Sequence, residues 1–114
     1  MSEIITKGRR LPVQPDGRMT LPEFPGDYCG PTSSYTGSLP AVFFLKPNAR
    51  DEGVPVRARS VQHVVSPPHV FRECPDGSLE IRASISDRVR GDTTGESSDG
   101  WHGFLDEGHI WRQV

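Results

Sequence analysis

Hydrophobic positions in this chain come in short runs divided by Pro, Gly, Asn and Asp, the texture of strands and turns rather than of helices. Leu79, Ile81, Ala83 and Ile85 alternate with Glu80, Arg82 and Ser84, which predicts a strand with one apolar and one polar face. Pro75-Asp76-Gly77-Ser78 precedes it, with Pro presetting the first corner of a turn and Gly accepting the second, so residues 69–74 and 79–85 read as a hairpin. Ala41-Val42-Phe43-Phe44-Leu45 is a continuous apolar run closed by Lys46-Pro47-Asn48, the pattern of a buried strand. Residues 61–65 predict another strand, stopped by Ser66-Pro67-Pro68, and residues 54–59 a weaker edge strand interrupted by Pro55.

The last pattern is two aromatic-rich runs, Trp101 to Leu105 and His109 to Trp111, joined by Asp106-Glu107-Gly108. A three-residue connection ending in Gly fits a hairpin that closes through a residue of positive φ. Strand alternation then sends Trp101 and Phe104 to opposite faces, leaving one free for a partner beside Arg112. Six or seven short strands without a helix predict an all-β fold, a small antiparallel β-sandwich or open barrel.

Residues 1–40 read differently. Pro12, Pro15, Pro22, Pro25, Pro31 and Pro40 recur too often for long strands, which predicts a Pro-rich irregular N-terminal arm, folded over the sheet edge or reaching a partner. Pro15-Asp16-Gly17 and Pro25-Gly26-Asp27 are turn signals within it. The compact β-domain then spans 41–114, with a polar loop at 86–99 whose only apolar anchor is Val89; disorder is the expectation there.

Composition narrows the function classes. With 114 residues, of which 33% are hydrophobic, the chain holds one small core and needs its aromatics to build it. A formal net charge of -2 argues against a broad phosphate-neutralising surface, and hence against nucleic acid as the partner. No apolar stretch approaches the roughly 20 residues of a membrane span. Cys29 and Cys74, without a secretory leader pattern, read as free thiols in a reducing compartment.

Candidate chemistry is sparse. Cys29, His63, His69, Cys74, His102 and His109 have the side chains of metal ligands, yet none forms the close pairs that deliver two ligands from one turn, so no metal or cofactor is expected. Cys74 with His69 or His102 is the nearest suggestion of a nucleophile and base, but Cys74 precedes Pro75 at the mouth of a turn, a setting for a small hydrophobe. Asp106 and Glu107 read as a solvated pair in a tight turn. Aromatic surface is the better asset, with Trp101, His102, Phe104, Trp111 and Arg112 as the binding residues.

The order of Ala41 to Phe44, then the Pro75 to Ile85 turn and strand, then Trp101-His102-Gly103-Phe104-Leu105 and Gly108-His109-Ile110-Trp111 resembles a family of small bacteriophage proteins of uncharacterised role. More distantly it is similar to a zinc-type domain of unknown function often mislabelled ammonia monooxygenase. That domain carries cysteines after its first apolar strand and a C-H-x-F segment before its last strand. Here Leu45-Lys46-Pro47-Asn48-Ala49 stands at the first place and Trp101 replaces the cysteine before His102, so of any zinc set only His102 carries over.

The resemblance implies a phage accessory or virion protein and does not imply an enzyme; together with the aromatic surface, this favours a non-enzymatic protein that acts through protein–protein contacts. It would be either a virion component, a minor capsid or decoration protein touching capsid subunits, or an accessory protein in the host cytoplasm that binds and modulates a host protein. A homo-oligomer is compatible with both. A small hydrolase using His102 is the alternative from a different class.

Overall fold

The computed structural model describes residues 4–33, 37–47, 61–87 and 101–114. Nine strands fill them: β1 (Ile4–Lys7), β2 (Arg9–Leu11), β3 (Asp27–Thr32), β4 (Ala41–Leu45), β5 (Val61–Val65), β6 (Val70–Glu73), β7 (Leu79–Asp87), β8 (Trp101–Asp106) and β9 (Ile110–Gln113). They form two sheets, β1-β9-β8-β7-β6 and β2-β3-β4-β5, and no described residue is helical, so the all-β expectation holds. The predicted edge strand at 54–59 lies outside the described residues, as do 88–99 of the polar loop.

The expectation of an irregular Pro-rich arm is corrected. Residues before Pro40 supply three strands, and Tyr28 and Cys29 of β3 are fully buried. Prolines mislead here because Pro31 sits at a bulge: the β3–β4 register slips by one residue between Cys29 and Thr32, where no ladder N–H is required. The sheets are also not wholly antiparallel, since β2 pairs with β3 in parallel, Arg9 opposite Asp27. Both N-terminal turn signals form, with Gly17 and Gly26 at positive φ.

The two sheets are stitched at both edges. At one edge the chain passes from β1 to β2 through Gly8, whose N–H donates to His109 O at 2.7 Å. A Cβ on Gly8 would collide with Gly26 O and lie 2.7 Å from Trp111 Nε1, so the crossing requires glycine. At the other edge Ser66-Pro67-Pro68 turns β5 into β6, with Ser66 N–H donating to Pro40 O at 3.0 Å.

Between the sheets lies one apolar cluster, to which β3 and β4 contribute Tyr28, Val42 and Phe44. From the facing sheet come Leu79, Ile81, Ile85, Trp101, Leu105 and Trp111. Trp111 is its centre: fully buried, edge-on to Tyr28 and Trp101 at centroid distances of 5.9 and 5.4 Å, and tilted against Phe44 at 5.1 Å. Its indole N–H donates to Gly26 O at 2.8 Å, which satisfies the one polar atom that this burial would otherwise strand.

Candidate functional site on the outer face of the closing hairpin

β8 and β9 form the predicted closing hairpin, Phe104 opposite Arg112 and Asp106 opposite Ile110. The connection is therefore Glu107-Gly108-His109, one residue later than the pattern suggested, and both Gly108 and His109 take positive φ. Alternation on β8 buries Trp101, Gly103 and Leu105 and turns His102, Phe104 and Asp106 outward.

Against this outward face lies an irregular stretch of β7. Ile81 pairs with Leu105 but Ile85 pairs with Gly103, so β7 carries two residues more than β8 over the same rise. The expected alternation breaks there: Ala83, which the pattern placed on the buried face, is exposed. A bulge of this kind re-aims its side chains. Arg82 spends one guanidinium nitrogen on the carbonyls of Ile81 and Leu105, each at 3.0 Å, and the other on Asp106 Oδ1 at 2.8 Å.

Arg112 donates from Nε to Asp106 Oδ2 at 2.9 Å, so one carboxylate holds two guanidiniums. Burial pushes the Asp106 carboxyl up, but the hydrogen bonds from Arg112 and Arg82 outweigh it and hold the group below the usual carboxylate range. Both guanidiniums also pack on the half-buried Phe104 ring, 4.6 Å (Arg112) and 5.4 Å (Arg82) from its centroid. Arg72 of β6 extends the charged face by donating to Glu80 at 2.7 Å.

The sequence-predicted binding residues divide in two. His102, Phe104 and Arg112 share this outer face, whereas Trp101 and Trp111 are in the core at 3% and 0% exposure and cannot meet a partner. Arg82 and Asp106 were missed. Asp106 read as a solvated turn residue, yet it is the last rung of β8 and has the same parity as His102 and Phe104; carrying the alternation two residues further would have placed it.

The other histidines contact neighbouring elements, although His69 Nδ1 is buried without a partner among the described residues. His63 packs on Phe43, His69 Nε2 lies 3.3 Å from Ser84 O, and His109 Nδ1 lies 2.6 Å from the Tyr28 hydroxyl. Burial pushes the Tyr28 hydroxyl up to about 12, so it stays protonated. Both cysteines are free and buried; burial likewise raises the Cys29 thiol, and Cys74 Sγ approaches Arg72 O at 3.8 Å rather than either suggested histidine.

Among the described residues one donor group, Cys74, Asp76 and Glu107, gathers its ligand atoms within 4.8 Å, sharing only Cys74 with the ligands read from the sequence. Asp76 there already accepts from Ser78 N–H at 2.9 Å to build the predicted turn. An open cleft of about 520 Å³ is lined by Arg10, Leu11, Val13, Gly30 and His109. Its polar side chains are spoken for: Arg10 donates to both oxygens of Glu73, and His109 is bound to Tyr28.

Comparison with family models, curated proteins and solved structures gives no match to this chain.

Proposed function

We propose that this chain is a non-enzymatic β-domain that acts by protein contact through the outer face of β6 to β9. One observation carries the reading: Phe104 lies on the solvent side of the sheet with two arginines packed on it and a shared carboxylate fixing both. Such an arrangement holds rotamer-rich side chains in place before a partner arrives and so lowers the entropy cost of binding. In the setting that the bacteriophage resemblance implies, the partner is a capsid subunit or a host protein. Recovery of the chain in purified particles by mass spectrometry would favour the first of these.

The contact itself is tested by placing a photo-crosslinking amino acid at position 104 and irradiating the producing cells. A discrete adduct is expected from position 104 and none from Val13, which is exposed and lines the cleft beside Arg10 and Gly30 rather than this outer face. Adducts from Val13 with none from 104 would move the contact off this face.

One observation favours a hydrolase using His102: its Nε2 lies 3.1 Å from Ser84 Oγ, so the bulge brings a hydroxyl to a base. This reading predicts that a fluorophosphonate probe labels Ser84 and that His102→Ala abolishes the labelling while the melting temperature stays the same. A wild-type chain that takes up no probe rejects it.

A further inference from the structure

The side chains of the outer face are layered by charge. Arg72 and Arg82 are 57% and 43% exposed, while the carboxylates they pair with, Glu80 and Asp106, are 19% and 25% exposed beneath them. An approaching molecule meets guanidinium first and carboxylate second, although the chain as a whole carries a net charge of -2. Toward the hairpin turn the layer is bounded by Glu107 and Asp76, which cluster with Cys74.

Resting on the contact reading above, we infer that the partner of this face is an acidic peptide segment, with carboxylates over Arg72 and Arg82 and an apolar side chain against Phe104. Arg72, Arg82, Phe104 and Arg112 stand on four successive strands. With about 4.8 Å between strands, and Arg72 two residues out of register because Val70 is the residue opposite Arg82, the four span roughly 16 Å, the length of about five extended residues. A short peptide fits that row. Nucleic acid does not, because its affinity depends on neutralising many phosphates, and this chain has acidic residues in excess. Complementary charge would set the register and speed the encounter, with Phe104 supplying the desolvated contact.

The experiment is selection from a random peptide display library against the purified chain. The enriched peptides are then titrated against wild type, Arg72→Glu and Phe104→Ser, each first shown by circular dichroism to melt as a folded domain. Arg72→Glu is the fold-safe probe, since that side chain is more than half exposed and sits on the sheet's edge strand.

The expected result is a consensus of two or more carboxylates around an apolar residue, with binding that weakens as salt is added and drops at least about tenfold in both variants. Neutral or basic peptides that still depend on Phe104 would overturn the acidic partner and leave the contact face standing. Peptides indifferent to both variants, or no enrichment, would overturn both. Saturable binding of an oligothymidylate that both variants abolish, with no acidic consensus enriched, would assign the face to nucleic acid and also overturn the inference.

Discussion

Trp111→Ala is expected to cost about 4 kcal/mol of folding stability, whereas Phe104→Ala, seven positions earlier and on the other side of the same sheet, costs about 1 kcal/mol. The difference follows from what each ring touches. Removing Trp111 empties the centre of the cluster, takes a contact face from Tyr28, Phe44 and Trp101 together, and leaves Gly26 O without its indole donor. Removing Phe104 exposes two guanidiniums that keep their carboxylate. A domain of this size has about 5–15 kcal/mol in hand, so Trp111→Ala sits near the edge of foldability and lowers the midpoint by roughly 15 °C or more. Thermal and urea denaturation of the two variants measure this directly. Equal losses in both would mean that Phe104 is a core residue and that the outer face is not a surface.

The second large effect is at Asp27. Its carboxylate, 3% exposed, accepts both Nε and Nη2 of Arg9, at 3.2 and 2.8 Å, and the backbone N–H groups of Glu23 and Phe24, each at 3.0 Å. One side chain thereby closes the Pro25-Gly26 turn and fastens β2 to β3. Asp27→Asn keeps the shape but loses the charge that Arg9 and both N–H groups address; with Arg9 more than half exposed to water, the cost is about 1–2 kcal/mol near neutral pH.

The cost should be pH-dependent, with a definite sign. Burial raises the Asp27 carboxyl, but the Arg9 hydrogen bonds and the two backbone donors outweigh it, and the group titrates below its ordinary value. Its contribution is therefore full above the unfolded-state value of about 3.9 and is lost as the pH falls through the lower folded-state value. Urea titrations of wild type and Asp27→Asn should show a gap that is constant from neutral pH down to about 5 and narrows on further acidification. A gap that persists unchanged into strong acid would mean that packing, not charge, makes Asp27 valuable.

Elements governed by neighbours in sequence were legible; those governed by neighbours in space were not. The hairpin around Pro75-Asp76-Gly77 and the apolar run of β4 follow from local turn chemistry and burial, and both form where expected. Local pattern misled wherever a register shift intervened. Pro31 read as a strand breaker because nothing nearby announces the bulge that excuses its missing N–H. Ala83 read as buried because the two extra residues of β7 are defined only by what β8 offers opposite them. The candidate site was half visible for the same reason: His102, Phe104 and Arg112 lie on one hairpin, but Arg82 arrives across the bulge. Both tryptophans stand among the aromatics the core needs and among the candidate binding residues, because an amphipathic ring carries no mark of its face until the register of its hairpin is known.

The pairing of β1 with β9, Ile4 opposite Gln113 and Lys7 opposite Ile110, sets an order on assembly during synthesis. β1 leaves the ribosome well before its hydrogen-bonding mate β9 is made, and the residue that fills the core, Trp111, comes with that mate. Among the described residues β1 pairs only with β9, so until β9 emerges β1 lacks that ladder and the Gly8 crossing has no His109 carbonyl to hold it. The strands from β2 to β8 are thus made before Trp111, and β9 brings that ring together with the ladder for β1.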